Sequence, residues 1–106
     1  MMQMTIASRS AELTPTIREH IEDRLHAALD QHATRIAQID VMIEDENGPR
    51  GGLDQVCRVV VSLTNGMQLR HERKGLDLYA NVSLIADKVK QRVGRELAKL
   101  KDRRNK

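Results

Sequence analysis

Residues 54–74, DQVCRVVVSLTNGMQLRHERK, hold two alternating runs joined by a turn signal. Between Asp54 and Leu63, the side chains of Cys57, Val59, Val61 and Leu63 alternate with those of Arg58, Val60 and Ser62. That period of two is the pattern of a strand with one buried face. Thr64-Asn65-Gly66 predicts a hairpin, since Asn-Gly is the favoured pair where both turn residues need positive φ. Met67–Lys74 then returns as a second strand, with Met67, Leu69 and His71 opposed to Gln68, Arg70 and Glu72. Upstream, Ile36–Asp45 alternates in the same way: Ile39, Val41 and Ile43 against Asp40, Met42 and Glu44. Between these first two strands, Glu46–Gly52 (ENGPRGG) is the strongest loop signal in the chain. Three consecutive strands with short links are expected to pair antiparallel.

Working outward, Met2–Ser8 alternates weakly and predicts a strand ahead of these three. Thr14-Pro15 opens a helix, with Thr14 as N-cap and Pro15 at the first position, where its missing N–H costs nothing. Ile17, Ile21, Leu25, Ala28 and Leu29 recur at helical spacing, and the helix is expected to end near His32–Thr34. A last helix starts after Asp77 as N-cap and runs to residue 100 or beyond. The order is β-α-β-β-β-α, an α+β fold in which two amphipathic helices cover one face of a four-stranded sheet. The 106 residues suffice for one domain with one core, assigned to residues 1–101, with 102–106 expected as a basic disordered tail.

Composition narrows the function. The net charge is +3 but unevenly spread: residues 1–73 carry 8 Lys+Arg and 11 Asp+Glu, residues 74–106 carry 10 and 4. Such polarity suits an electrostatic footprint on one element. Tyr79 is the only aromatic, which argues against stacking platforms for single-stranded bases and directs attention to phosphates and folded RNA. Tyr79 itself, in the first turn of the last helix, is expected to seal the end of an aliphatic core. Cys57 is the only cysteine, expected as a small core residue. His20, His26 and His32 fall every six residues and diverge round their helix, whereas zinc on a helix wants His at i and i+4. No catalytic constellation, metal site or cofactor motif stands out, and neither a small-molecule substrate nor a membrane partner is expected. No signal peptide or apolar span is visible, so the expected compartment is the cytoplasm.

The last helix carries the clearest functional pattern. Lys88, Arg92, Arg95, Lys99 and Arg103 are spaced 4, 3, 4 and 4 and make one stripe; Val82, Ile85, Val89, Val93 and Leu100 make a second. One can pack on a core while the other faces a polyanion. Glu96 falls on the apolar side and Leu84 on the exposed side. Arg18 and Arg24 flank the apolar stripe of the first helix; they either snorkel over the core edge or share one basic groove with the last helix. Arg50 sits between Gly48-Pro49 and Gly51-Gly52, where a backbone free of side chains can approach a phosphate and an arginine can grip it.

Three segments together resemble a known family: Met4-Thr5-Ile6-Ala7-Ser8-Arg9, the run Glu12–Leu25 (ELTPTIREHIEDRL), and Asp77-Leu78-Tyr79-Ala80 followed by Asp87-Lys88. They resemble the ribosome hibernation promoting factors and ribosome-associated inhibitor A, also called sigma-54 modulation proteins, in their short form. The resemblance spans essentially the whole chain. It implies the β-α-β-β-β-α fold, similar to double-stranded-RNA-binding domains, and a non-enzymatic translation inhibitor. It further implies binding to the small ribosomal subunit and its ribosomal RNA in the decoding channel, in stationary phase or stress. Carried over, the RNA-binding positions are Arg9, Arg18, Arg24, Lys88, Arg92, Arg95 and Lys99, the last four also selected by the stripe. Two other readings stand beside it: a regulator of structured RNA away from the ribosome, and a protein–protein module using Leu84 and the glycine-rich loop. A monomer is the working expectation for the free protein.

Overall fold

The computed structural model describes residues 2–9, 13–47 and 53–104. Their order is β1 (Gln3–Arg9), α1 (Pro15–Leu29), a 3-10 segment (Asp30–Arg35), β2 (Ile36–Asn47), β3 (Leu53–Leu63), β4 (Gln68–Gly75) and α2 (Leu78–Arg104). The four strands form one sheet in the order β1-β2-β3-β4. β1 runs parallel to β2, and the two later pairs are antiparallel. The parallel pair is possible because α1 serves as the crossover between its strands.

Register decides which side chains share a face. Met4, Ile39, Val61 and Leu69 lie in one row across the sheet, and Ile6, Val41, Val59 and His71 in the next. These rows face the helices. They meet Ile17, Ile21, Leu25 and Leu29 of α1 and Val82, Ile85, Val89 and Val93 of α2 in one buried cluster. The opposite face carries polar rows such as Thr5, Asp40, Val60 and Arg70. There Arg58 bridges Glu44 at 2.7 Å and Glu72 at 3.1 Å, a cross-strand ladder suited to a wet face. α2 packs on β3, β4 and α1.

Local chemistry sets the helix starts. Thr14 Oγ1 accepts the Ile17 N–H at 3.2 Å, and Pro15 takes the first helical position. Asp77 Oδ1 accepts from the N–H groups of Tyr79 (3.0 Å) and Ala80 (3.3 Å), capping α2. Buried Asn81 then ties that first turn to the sheet, its Nδ2 donating to Gln55 O at 3.1 Å and to Gly75 O at 3.4 Å.

Three details differ from expectation. The α-helix gives way at Leu29 (φ −120°, ψ −7°) to the 3-10 segment, so helical chain extends to Arg35, just beyond the expected end. The tighter segment delivers the chain into β2, and Arg35 O accepts the Thr64 N–H at 2.9 Å, tying it to the β3–β4 turn. That turn is a three-residue loop rather than a two-residue Asn-Gly turn. Gly66 donates to Leu63 O (3.0 Å), Leu63 donates to Met67 O (2.8 Å), and the positive φ falls on Gly66 at +93°. Asn65 contributes through its side chain, which accepts the Met67 N–H at 2.9 Å, a bond that favours the wider loop. Finally, α2 continues through Asp102 to Arg104, into the segment expected as a disordered tail. Helical hydrogen bonding propagates once a long helix is nucleated, and no glycine or proline follows Gly94 to stop it.

Candidate nucleic-acid interface

α2 is about 40 Å long, given a rise near 1.5 Å per residue, and it presents two different charged flanks. Val82, Ile85, Ala86, Val89 and Val93 point into the core. On one side, Lys88, Arg92, Arg95 and Lys99 form the expected stripe. It lies over β4, since Lys88 and Arg92 are the cations that act on His71 of that strand. On the other side, Ser83, Asp87 and Lys90 face α1 across a notch whose far wall is Arg24 and Ala27. The single basic groove shared by both helices is therefore not formed with the stripe. The α2 residue facing Arg24 is Lys90, and the stripe turns away from α1 toward the sheet edge.

The remaining arginines scatter. Arg18 is exposed on α1, about 120° round the helix from Arg24, and so on the flank away from α2. Arg9 ends β1 in register with Glu44, on the sheet face opposite the helices, where it helps hold the Glu44 carboxyl below the usual range. The hydrogen bond from Arg58 is the main cause of that shift. Arg50 lies outside the described residues. Of the expected set, the structure brings together Lys88, Arg92, Arg95 and Lys99, and separately aligns Arg24 with Lys90. Periodicity places Lys90 on a flank of α2 but cannot say that α1 lies there.

The stripe is not uniformly free. Glu96 lies at the margin of the apolar side, 15% exposed, with its Oε1 3.4 Å from Arg92 Nε and 3.6 Å from Lys99 Nζ. Among the described residues, Lys88 and Arg95 make no ion pair. Beneath the stripe, His71 is half-buried with its Nε2 enclosed and unpartnered. Burial, then the charges of Arg92 and Lys88, push its pKa below the ordinary 6.5, so the ring is neutral near pH 7.

Tyr79 does not seal the core. It is 41% exposed and its ring lies 4.8 Å from that of His20, tilted by 57°. His20 Nε2–H donates to Tyr79 O at 3.2 Å. The pair closes the seam between the helices because position 79 leans toward α1 rather than down onto the sheet. Cys57 is buried as expected, and burial raises its thiol pKa to about 11, which keeps it protonated and unreactive. Among the described residues no group of three His, Cys, Asp or Glu side chains is placed to hold a metal ion. No described helix is long and apolar enough to cross a membrane.

Comparisons with known proteins agree with this architecture. The fold is that of a ribosomal subunit interface protein from Coxiella burnetii, with a TM-score of 0.78 at 19% identity over 91% of this chain and 98% of that one. The ribosome hibernation promoting factor of Escherichia coli K12 is 29% identical over 102 residues, 96% of each chain. The chloroplastic ribosome-binding factor PSRP1 of Spinacia oleracea is 22% identical over 96% of this chain, and the ribosome hibernation promotion factor of a Picosynechococcus species is 26% identical over 96%. The chain spans only 33% and 50% of the lengths of these last two relatives. The sequence profile of one family, described as Sigma 54 modulation protein / S30EA ribosomal protein, matches residues 4–104. With nearly the whole fold inside that match, the chain belongs to the Sigma 54 modulation protein / S30EA ribosomal protein family.

Proposed function

We propose that this protein is a ribosome hibernation factor: it binds the small ribosomal subunit through ribosomal RNA and occupies space that messenger and transfer RNA would use. The observation that carries this reading is the family match over residues 4–104, in company with a hibernation promoting factor covered over 96% of its length. The physics of the surface supports it. Lys88 and Arg95 offer unpaired charge on a rigid helix, with Arg92 and Lys99 beside them. Phosphate contacts of this kind give affinity and orientation without base recognition. With one aromatic in the chain, base stacking has little to work with, so in this reading the contacts to RNA are electrostatic.

Sedimentation of the full chain with purified small subunits tests this. Wild type should travel with the subunit at low salt and be released as salt rises. Lys88→Glu with Arg95→Glu should leave the melting temperature nearly native and abolish co-sedimentation. Failure of wild type to co-sediment, or undiminished binding by the double variant, would refute the reading or its assigned face respectively.

A further inference from the structure

The flank of α2 opposite the stripe borders a small notch against α1. Arg24, Ala27 and Ala28 of α1 and Ser83, Ala86, Asp87 and Lys90 of α2 enclose a half-open notch of about 110 Å³. The alanines create it: their side chains stop at Cβ, and longer residues at these positions would fill the seam. None of the lining residues is aromatic, so the notch offers a base no ring to stack on. Its charged groups are Arg24, Lys90 and Asp87. None of the three makes a salt bridge or hydrogen bond with another described residue, although Asp87 shares the notch with both cations.

A site for phosphate alone would gain nothing from a carboxylate, which repels the anion. An unpaired carboxylate beside two unpaired cations suits a ligand carrying an anion and a hydroxyl donor side by side. Ribonucleic acid has that chemistry at every residue: a phosphodiester, and a ribose 2′-hydroxyl next to it. On α2, Ser83, Asp87 and Lys90 follow one another at spacings of four and three, so their side chains project along one line of the helix. Arg24 closes the line from α1.

We propose that the notch between α1 and α2 is a ribonucleotide subsite, in which Arg24 and Lys90 hold a backbone phosphate and the Asp87 carboxylate accepts the adjacent 2′-hydroxyl. The proposal deepens the RNA-binding reading above and rests on it. It makes the protein selective for RNA through the sugar, a role that the stripe of cations on the other flank cannot fill because phosphates are common to both nucleic acids.

The test uses the full chain and two fluorescent RNA duplexes of one sequence, one with 2′-hydroxyls and one with 2′-fluoro groups, which keep the A-form helix but cannot donate. Wild type should bind the hydroxyl duplex at least fivefold more tightly. Asp87→Ala should bring the ratio to within twofold, and Asp87→Asn, which keeps an acceptor, should fall between. Arg24→Gln and Lys90→Gln should weaken both duplexes alike and flatten the salt dependence by about one unit each. A wild-type ratio near one, no binding of the hydroxyl duplex, or an unchanged ratio in Asp87→Ala overturns the subsite. Co-sedimentation of wild type with small subunits, measured separately, reports on the parent reading.

Discussion

Replacing Gly75 by alanine should unlock the joint that sets α2 on the sheet. A Cβ at this position would lie 2.7 Å from Asn81 Oδ1, closer than packed atoms allow, with the Asn81 Cγ and Nδ2 each at 3.4 Å behind it. Asn81 has little freedom to yield: it is 4% exposed and its Nδ2 serves Gln55 O and Gly75 O. Swinging the amide aside sacrifices those bonds. Each is worth about 1 kcal/mol net, and an amide left buried without partners costs about 1–3 kcal/mol. Gly75→Ala should therefore destabilise by about 2–3 kcal/mol. For a domain of this size about 1 kcal/mol shifts the melting temperature by roughly 4–8 °C, so a fall beyond 8 °C is expected. Urea denaturation provides the free energy, and a double-mutant cycle with Asn81→Ala isolates the contact. In the Asn81→Ala background the new methyl meets no amide, so Gly75→Ala should then cost less than about 0.5 kcal/mol, the usual limit of additivity between uncoupled sites. A single Gly75→Ala as stable as wild type, or equal costs in both backgrounds, would refute the reasoning.

Gly94→Ala should act in the opposite direction, stabilising by about 0.5–1 kcal/mol in thermal or urea unfolding. Gly94 lies inside α2, and a methyl there would meet nothing closer than His32 Nε2 at 3.9 Å; destabilisation would mean the seam is tighter than this. Glu96→Gln should tighten RNA binding a few-fold at low salt and steepen the salt dependence, because the carboxylate shared by Arg92 and Lys99 competes with phosphate. Unchanged affinity in a filter-binding series would mean the two cations do not reach RNA. His71 has a depressed pKa, so the unfolded chain binds its proton first: the stability it contributes is present above pH 6.5 and lost as pH falls below it. Urea midpoints at pH 7.5 and 5.5 should therefore draw apart more in wild type than in His71→Leu, and equal pH dependence in the two would contradict the assignment.

The element order and the buried faces were legible in the sequence because both depend on local periodicity. The alternation of Cys57, Val59, Val61 and Leu63 can bury only one side of a strand, and the spacing of Ile17, Ile21 and Leu25 only one side of a helix. Thr14-Pro15 and Asp77 marked the helix starts because capping is chemistry between near neighbours. The stripe of Lys88, Arg92, Arg95 and Lys99 was legible for the same reason: it is a property of one helix. Which neighbour each flank meets is a property of the assembled fold, and there the tertiary structure decided. The β3–β4 contacts of α2 turn the stripe toward His71 and away from Arg24, and they leave Lys90, Asp87 and Ser83 facing α1. The face that Arg9 occupies follows from its register with Glu44. Tyr79 stands on the helix seam against His20, a partner 59 residues away that only the assembled fold brings to it.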